Sequence, residues 1–286
     1  MDTDYFQHKD INFASIVYSA ERLNFLENEF QVRDDDVFIV TFPKSGTNWM
    51  MEILSLIRSN GDPTWCHDLP IWERIPWLEA RDSKILIDSM SSPRFFSSHL
   101  PIQFFPKSFF TSKAKVIYTA RNPKDVLVSL YHFAQMAYVI KTPCSLDEFV
   151  EDFLQGRVPF GSWFDHIKGW LQMKDNSNFL FISYEELKQD HKATVLKICN
   201  FLGKVLDNEA IDMVVEHSSF NSMKQNKMSN QSEAPDFIMN KKYNFMRKGI
   251  RGDWRNHFTD SQQEYIDRIY QEKMKGLSLH FIWDES

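Results

Sequence analysis

The chain has 286 residues, of which 43% are hydrophobic and 25% charged, a composition typical of a globular protein. We expect one domain over residues 1–286, because no low-complexity linker, repeat period or long run of like charge marks a boundary. The formal net charge of −6 argues against general binding to nucleic acid or to an anionic membrane, which relies on many Lys and Arg side chains.

The N-terminal stretch MDTDYFQHKD is polar and acidic, unlike a signal peptide, and no apolar run is long enough to span a membrane. Cys66, Cys144 and Cys199 are odd in number and widely spaced, which indicates reduced thiols rather than a disulfide framework. We therefore expect a cytoplasmic protein. No metal site is expected, because the run Cys66-His67-Asp68 has no second pair of ligands at a suitable spacing.

Three short apolar runs predict buried strands: VFIV at 37–40, KVIYT at 115–119 and FLFIS at 179–183. Each run is followed by a polar hinge and then by a helical pattern. This alternation is typical of an α/β fold, with a central parallel sheet flanked by helices on both faces.

The first of these helices is predicted from apolar residues at helical spacing between Trp49 and Ile57. The second is predicted over Asp125 to Phe133 with Pro123 near its start, and the third over Glu185 to Leu202, closed by Gly203.

Capping-box patterns predict two further helix starts, at Ser145 to Glu148 and at Thr259 to Gln262. The segments 61–110 and 221–250 show no clear period and are predicted to be long loops, where ligands are commonly bound.

The stretch TFPKSGTNWM, at 41–50, follows the first predicted strand and opens the first helix. Its lysine, glycine and hydroxyls suit an anion at a helix N-terminus, although the Walker pattern ends on its lysine and here Lys44 comes first. A plain β-turn with a helix cap explains the segment as well on its own.

Two further basic turns could contribute to the same anion site. Arg121 follows the second strand and could grip a phosphate bidentately, or it could equally form a salt bridge to Asp125. Arg247-Lys248-Gly249 lies in the second long loop. Together the three turns indicate a ligand with more than one anionic group.

The segments TFPKSGTNW, ARNPKDVLVS and RKGIRGDWRNHF resemble the signature segments of the cytosolic sulfotransferases, which use 3′-phosphoadenosine 5′-phosphosulfate (PAPS). The similarity is collinear from about residue 30 to 275. The segments at 70–77, 96–110, 161–166 and 219–230 further resemble the hydroxysteroid and bile-acid branch. The resemblance also implies a fold similar to that of the nucleotide kinases.

The resemblance implies a nucleotide site in three parts. The 5′-phosphosulfate would be held by Lys44, Ser45, Gly46, Thr47 and Asn48. The 3′-phosphate would be held by Arg121, Ser129, Arg247, Lys248 and Gly249. The adenine would be surrounded by Trp49, Tyr184 and Phe220, with Ser218 and Met223 nearby.

The resemblance also implies that His99 is the general base that takes the proton of the acceptor hydroxyl. Lys44 would neutralise charge on the bridging oxygen of the departing nucleotide, and Ser129 would help to position that lysine. No divalent metal is required in this scheme. The Ile85-Leu86-Ile87-Asp88 run lies outside a matching strand and loop, so Asp88 is interpreted as a surface residue rather than a magnesium ligand.

The acceptor is expected to be a small apolar alcohol such as a steroid or bile acid. Its pocket is predicted from aromatic and apolar residues in or beside the presumed loops: Trp72, Trp77, Phe95, Phe133, Tyr138 and Ile238.

Two other functions remain possible at this stage. A nucleotide kinase or hydrolase is disfavoured by the missing Gly-Lys-[ST] ending, and a catalytically silent steroid or nucleotide binder is disfavoured by Lys44, His99 and Ser129 occurring together.

A homodimer is possible, but where the dimer motif of the family has Val this chain has Asp260. A carboxylate near its symmetry mate weakens a small two-fold contact.

Overall fold

A computed structural model of the chain describes residues 4–277 and 281–285, so the first three residues of the polar N-terminal stretch lie outside it. The strands of the described chain are β1 (Tyr5–His8), β2 (Ile11–Ala14), β3 (Val37–Thr41), β4 (Phe95–Ser98), β5 (Lys115–Ala120) and β6 (Phe179–Ser183). The helices are α1 (Ala20–Asn28), α2 (Thr47–Arg58), α3 (Thr64–Asp68), α4 (Ile71–Arg74), α5 (Lys84–Ser89), α6 (Pro123–Ala134), α7 (Leu146–Leu154), α8 (Trp163–Leu171), α9 (Tyr184–Gln189), α10 (His191–Leu202), α11 (Asn208–His217), α12 (Phe220–Gln225) and α13 (Asp260–Met274).

The central sheet has the order β4-β3-β5-β6, and each neighbouring pair is parallel. Side chains alternate between two cores, so that Phe38 and Val40 of β3 face one core while Val37 and Ile39 face the other. Both faces of the sheet are therefore covered, as the continuous apolar strand runs predicted. β1 and β2 form a separate antiparallel hairpin.

Three predicted strands and the helices that follow them are present, but the helix expected over residues 185–202 is two helices. The chain breaks at Asp190, whose side chain accepts a hydrogen bond from the Ala193 N–H and caps α10. Gly203 ends α10 in the left-handed conformation, as predicted.

Of the two predicted capping boxes, the one at Thr259 is complete and the one at Ser145 is not. At α13 the reciprocal bonds between Thr259 and Gln262 are both present. At α7 the Ser145 hydroxyl accepts from the Glu148 N–H, but the Glu148 carboxylate accepts from the N–H of Cys144 instead of that of Ser145.

The segment 61–110 is not the long loop that the sequence suggested. It contains α3, α4, α5 and strand β4, which pairs with β3. The segment 221–250 is closer to the prediction, because regular helix persists only to Gln225 among its residues. Asp88 lies in α5 with an exposed side chain paired to Lys84, which confirms its interpretation as a surface residue.

A buried ion pair ties α2 to α4 and to the second long segment. Arg74 Nη2 donates to Glu52 Oε2 at 2.7 Å, and both side chains are almost inaccessible to solvent. The Ser229 hydroxyl donates to the same carboxylate oxygen at 2.8 Å. The pair thus holds the start of the segment 226–250 against α2, the helix that follows β3.

Within the described ranges, every helix is too short or too polar to cross a bilayer.

Candidate active site

The carboxyl ends of the four parallel strands meet at one edge of the sheet, next to a cavity of about 610 Å³. The loop after β3 carries Lys44, β4 leads into His99, β5 leads into Arg121 and β6 leads into Tyr184. Ligands of open parallel sheets are bound at this edge. All four of these residues line the cavity.

The loop between β3 and α2 has the features of an anion site. Gly46 precedes α2 in the left-handed conformation, with no side chain capping the free N–H groups of the first turn. A Cβ at Gly46 would lie 3.0 Å from the Tyr184 ring, so glycine allows the close approach. The buried Ser45 Oγ and Asn48 Nδ2 have no hydrogen-bond partner in the described part of the chain. Buried polar atoms are normally paired, so this loop suits a polar ligand.

Arg121 lies over the Tyr184 ring, with its guanidinium carbon 4.3 Å from the ring centroid. Its terminal nitrogens donate to the carbonyls of Lys44 and Ile250 at 3.2 and 3.1 Å, while its buried Nε has no described partner. The alternative salt bridge to Asp125 is not formed. Asp125 instead accepts the N–H groups of Gly252 and Trp254 at 2.6 and 3.1 Å.

The third basic turn lies beside the same cavity. Arg247 and Lys248 each form a 2.7 Å ion pair with the buried carboxylate of Asp253. These pairs hold the pKa of Asp253 well below its usual range, against the opposing effect of burial. Gly249 packs directly against the Phe220 ring: a Cβ there would lie 2.2 Å from Phe220 Cδ2.

The presumed adenine residues Trp49, Tyr184, Phe220 and Met223 all line the cavity, and the Trp49 and Tyr184 rings meet edge to face at 5.4 Å. Ser218 does not. It is fully buried at the end of α11, where its hydroxyl donates to the Val214 carbonyl at 2.5 Å and lies 3.0 Å from His191 Nε2. The His191 ring packs against Trp49 at a centroid distance of 5.2 Å, so Ser218 reaches the presumed adenine residues through His191 and its role near the base stays a prediction.

A hydrogen bond fixes which imidazole nitrogen of His99 carries the proton. Nδ1 lies 2.7 Å from the Thr41 carbonyl oxygen, and because a carbonyl only accepts, Nδ1 carries the proton. Nε2 is then the unprotonated nitrogen. The imidazole is held between the rings of Trp77 and Phe160, at centroid distances of 4.5 and 5.2 Å. Burial, followed by repulsion from His166 and Lys44, lowers the pKa of His99 to about 3, against the opposing effect of the hydrogen bond to the Thr41 carbonyl.

The backbone of His99 is held on both sides. Its N–H donates to Glu79 Oε1 at 2.7 Å, and its carbonyl accepts from His166 Nε2 at 3.0 Å. His166 Nδ1 in turn accepts from the Tyr118 hydroxyl at 2.8 Å. Burial raises the pKa of Glu79 to about 7 and lowers that of His166 to about 4. Glu79 and His166 were not singled out from the sequence, because lone residues at these positions carry no local pattern.

Lys44 turns toward two aromatic rings. Its Nζ lies 4.0 Å from the Phe133 centroid and 4.1 Å from that of Phe245. Burial, followed by repulsion from Arg121 and Arg247, lowers its pKa to about 7. Ser129 lines the cavity, but no hydrogen bond joins it to Lys44 within the described structure.

The acceptor side of the cavity matches the prediction in part. Trp72, Trp77, Phe133 and Ile238 line it. Tyr138 does not, although its N–H donates to the carbonyl of Ile238 at 2.9 Å; its neighbours Val139 and Ile140 line the cavity instead.

Phe95 is also misplaced by the prediction. It starts β4 and packs in the core, with the Arg58 guanidinium 4.4 Å from its ring. Phe160, Met239 and Phe245 complete the apolar wall and had not been predicted. In residues 4–277 and 281–285, no group of three or more His, Cys, Asp or Glu side chains is arranged to hold a metal ion.

This arrangement, an anion loop facing a neutral histidine and an apolar wall, is that of a group-transfer enzyme acting on a nucleotide and an apolar acceptor. Residues 34–278 match the family described as the sulfotransferase domain. The chain belongs to this family.

Named relatives lie close in sequence and fold. The chain is 53% identical over 283 residues to sulfotransferase 2B1 of Homo sapiens, covering 99% of this chain and 77% of that protein. It is 49% identical over 276 residues to the 3-beta-hydroxysteroid sulfotransferase of Cavia porcellus, with 96% of each chain covered. A crystal structure of mouse sulfotransferase SULT7A1 complexed with PAP superposes with a TM-score of 0.79 at 30% identity, covering 96% of each chain.

Proposed function

We propose that this protein transfers a sulfuryl group from PAPS to the hydroxyl of a steroid-like or bile-acid-like alcohol, and that residues 1–286 form one cytoplasmic sulfotransferase domain. The observation that carries the proposal is His99, whose proton is fixed on Nδ1 and whose ring borders a cavity shared by an anion loop and an apolar wall. The name of the guinea pig relative, a 3-beta-hydroxysteroid sulfotransferase, supports the acceptor class.

The polar atoms left without partners fit the nucleotide donor. Ser45 Oγ, Asn48 Nδ2 and Arg121 Nε are buried without a partner among the described residues, and Asn48 and Arg121 line the cavity, where phosphate or sulfate oxygens would satisfy them. We assign the 5′-phosphosulfate to residues 44–48. The 3′-phosphate is assigned to Arg121, Ser129, Arg247, Lys248 and Gly249, and the adenine to Trp49, Tyr184, Phe220 and Met223. When bound, PAPS supplies a sulfuryl group on a phosphate leaving group.

His99 Nε2 accepts the proton of the acceptor hydroxyl. A pKa of about 3 keeps the imidazole neutral at physiological pH, and it also makes the imidazole a weak base. Proton transfer therefore accompanies bond formation rather than preceding it. Lys44 supplies positive charge at the donor end of the cavity, and the rings of Trp77 and Phe160 flank the imidazole.

The experiment that tests the function is a panel of steroid and bile-acid alcohols incubated with sulfur-labelled PAPS. We expect labelled product with the wild-type protein and none above background with His99→Ala, because such a base contributes about 10²–10⁴-fold in rate. Binding of the product nucleotide adenosine 3′,5′-bisphosphate (PAP) to His99→Ala, measured by calorimetry, is expected to stay near the wild-type level. Near-normal turnover by His99→Ala would sink the mechanism, and steroid binding without any product would favour a silent binder.

We also propose that Asp260 weakens a homodimer. It is the first residue of α13 and its side chain is exposed, so a two-fold contact at this helix start would bring two carboxylates together. Sedimentation of the wild-type protein is expected to show monomer at concentrations where Asp260→Val shows dimer. A tight wild-type dimer would contradict this assignment.

A further inference from the structure

Two buried threonine hydroxyls lie between His99 and the start of α2. Thr41 ends β3 and Thr47 begins α2, and the turn between them brings their Oγ1 atoms to within 2.6 Å of each other. Thr41 Oγ1 also lies 3.1 Å from His99 Nδ1. Both threonines are buried, Thr41 completely. The two hydroxyls, called the threonine chain below, therefore connect the imidazole to the first turn of α2.

The proton on His99 Nδ1 fixes the direction of the threonine chain. Nδ1 donates to the Thr41 carbonyl at 2.7 Å and shares the same proton with Thr41 Oγ1, which therefore accepts. The Thr41 hydroxyl is left to donate its own proton to Thr47 Oγ1. The direction of donation thus runs from the imidazole through Thr41 to Thr47.

The last proton of the threonine chain is available to a ligand. Within residues 4–277 and 281–285, Thr41 is the one hydrogen-bond partner of the Thr47 hydroxyl, and toward Thr41 this hydroxyl accepts. Thr47 lines the cavity, next to Gly46 and Asn48 of the anion loop. An acceptor oxygen in the cavity would therefore complete the threonine chain.

We propose that Thr41 is a positioning residue that links the base to the donor site: its hydroxyl accepts from His99 and, by donating to Thr47, turns the Thr47 proton toward the 5′-phosphate of the bound nucleotide. The inference rests on the proposed sulfotransferase function, in which residues 44–48 hold the 5′-phosphosulfate. It makes the imidazole and the nucleotide phosphate the two ends of one hydrogen-bonded chain.

The threonine chain is polarised most strongly during transfer. The O–H bond of the acceptor breaks and its proton goes to His99 Nε2, while the acceptor oxygen forms a bond to sulfur. The bond between sulfur and the bridging phosphate oxygen breaks, and its electron pair stays on the phosphate. The imidazolium is then a stronger donor at Nδ1, and the phosphate, which has gained negative charge, is a stronger acceptor at the other end. Each threonine keeps its own proton, and nothing is oxidised or reduced.

The first test observes the His99 Nδ1 proton by NMR in protein labelled with nitrogen-15 histidine, with His99→Gln for assignment. Saturating PAP is expected to move this signal downfield in the wild-type protein, because a phosphate bound to Thr47 strengthens every hydrogen bond of the threonine chain. In Thr41→Val, which keeps the side-chain shape without the hydroxyl, the shift caused by PAP should be largely lost.

Thr119→Val is the matched control for the first test. Thr119 lies beside Thr41 in the pairing of β3 with β5, is equally buried, and has a hydroxyl without a partner in the described structure. This variant is expected to keep the wild-type response to PAP. A wild-type signal that PAP leaves in place overturns the proposal, and so does a response in Thr41→Val as large as that of wild type.

The second test measures the single-turnover rate of sulfuryl transfer to a 3β-hydroxysteroid. We expect Thr41→Val to lower this rate about tenfold, since a hydrogen bond to a charged imidazolium is lost, and to change PAP affinity much less. Thr41→Ser restores the hydroxyl and should recover most of the rate, and Thr119→Val should match wild type. A wild-type rate in Thr41→Val, or equal losses in Thr41→Val and Thr41→Ser, overturns the role of the hydroxyl. Absence of transfer by the wild-type protein to any steroid alcohol instead overturns the proposed function, whereas the NMR result does not depend on turnover.

Discussion

Gly249 offers a sharp test of the nucleotide site, because its backbone has φ +63° and a Cβ would lie 2.2 and 2.4 Å from two carbons of the Phe220 ring. Gly249→Ala therefore combines two costs. The left-handed conformation costs a residue with a side chain about 1–2 kcal/mol. The overlap with Phe220 cannot be relieved without moving the ring, and we propose that this ring forms one wall of the adenine pocket.

The loss of binding follows from the contact that the ring would make. Stacking between an aromatic side chain and a base is worth about 1–3 kcal/mol, which corresponds to roughly 5- to 150-fold in affinity. We expect Gly249→Ala to weaken PAP binding within this range when measured by calorimetry. Gly203→Ala is the matched control, since Gly203 has φ +70° but no atom within 4 Å of the added Cβ.

The two variants separate backbone strain from ring displacement. Gly203→Ala is expected to lower the free energy of unfolding by about 1–2 kcal/mol and to leave PAP binding unchanged. Gly249→Ala is expected to lose at least as much stability and to lose affinity as well. If Gly249→Ala binds PAP as tightly as wild type, Phe220 does not form a wall of the nucleotide pocket and that assignment is wrong.

Three further predictions concern the pH profile, the histidine backbone and the buried ion pair. His99 is neutral above its pKa of about 3, so kcat/KM for PAPS should show no change near the ordinary histidine pKa of 6.5. Lys44 is cationic below its pKa of about 7, so kcat/KM should stay level below pH 7 and fall above it. The basic limb should disappear in Lys44→Arg, and a limb near 6.5 that survives in this variant would contradict the assignment of His99. Glu79→Ala leaves the buried His99 N–H unpaired and should lower kcat about tenfold, whereas Glu79→Gln keeps an acceptor oxygen and should restore most of it; equal losses would show that the hydrogen bond is not what matters. Glu52→Ala leaves the Arg74 guanidinium buried without its counter-ion and should cost about 3–5 kcal/mol in urea denaturation, and a loss under 1 kcal/mol would refute the buried pairing.

The sheet was predictable because its strands carry their own signal. The runs at 37–40, 115–119 and 179–183 are apolar at most positions, and each became a strand of the parallel sheet. Strand β4 was missed because Phe95–Ser98 is four residues long and half serine. It is a strand because β3 lies beside it, and a pairing over 58 residues leaves no local pattern.

Only the part of the candidate site that directly follows the strands could be predicted from the sequence. The loop at 44–48 and the turn at Arg121 follow strands directly, so their place at the sheet edge follows from the topology. The partners that fix His99 come from Thr41, Glu79 and His166, which lie 58, 20 and 67 positions away. The acceptor wall was harder still, since Tyr138 and Val139 are adjacent in the sequence and only Val139 of the two lines the cavity.

The attachment of His99 through its backbone has a practical consequence. Glu79 and His166 hold the N–H and carbonyl of residue 99, and these groups are the same for every amino acid except proline at the N–H. The imidazole supplies the chemistry at this position, whereas main-chain hydrogen bonds hold the position in place. A variant without the imidazole should therefore keep the shape of both binding sites, which makes His99→Ala a stable tool for capturing donor and acceptor together before they react.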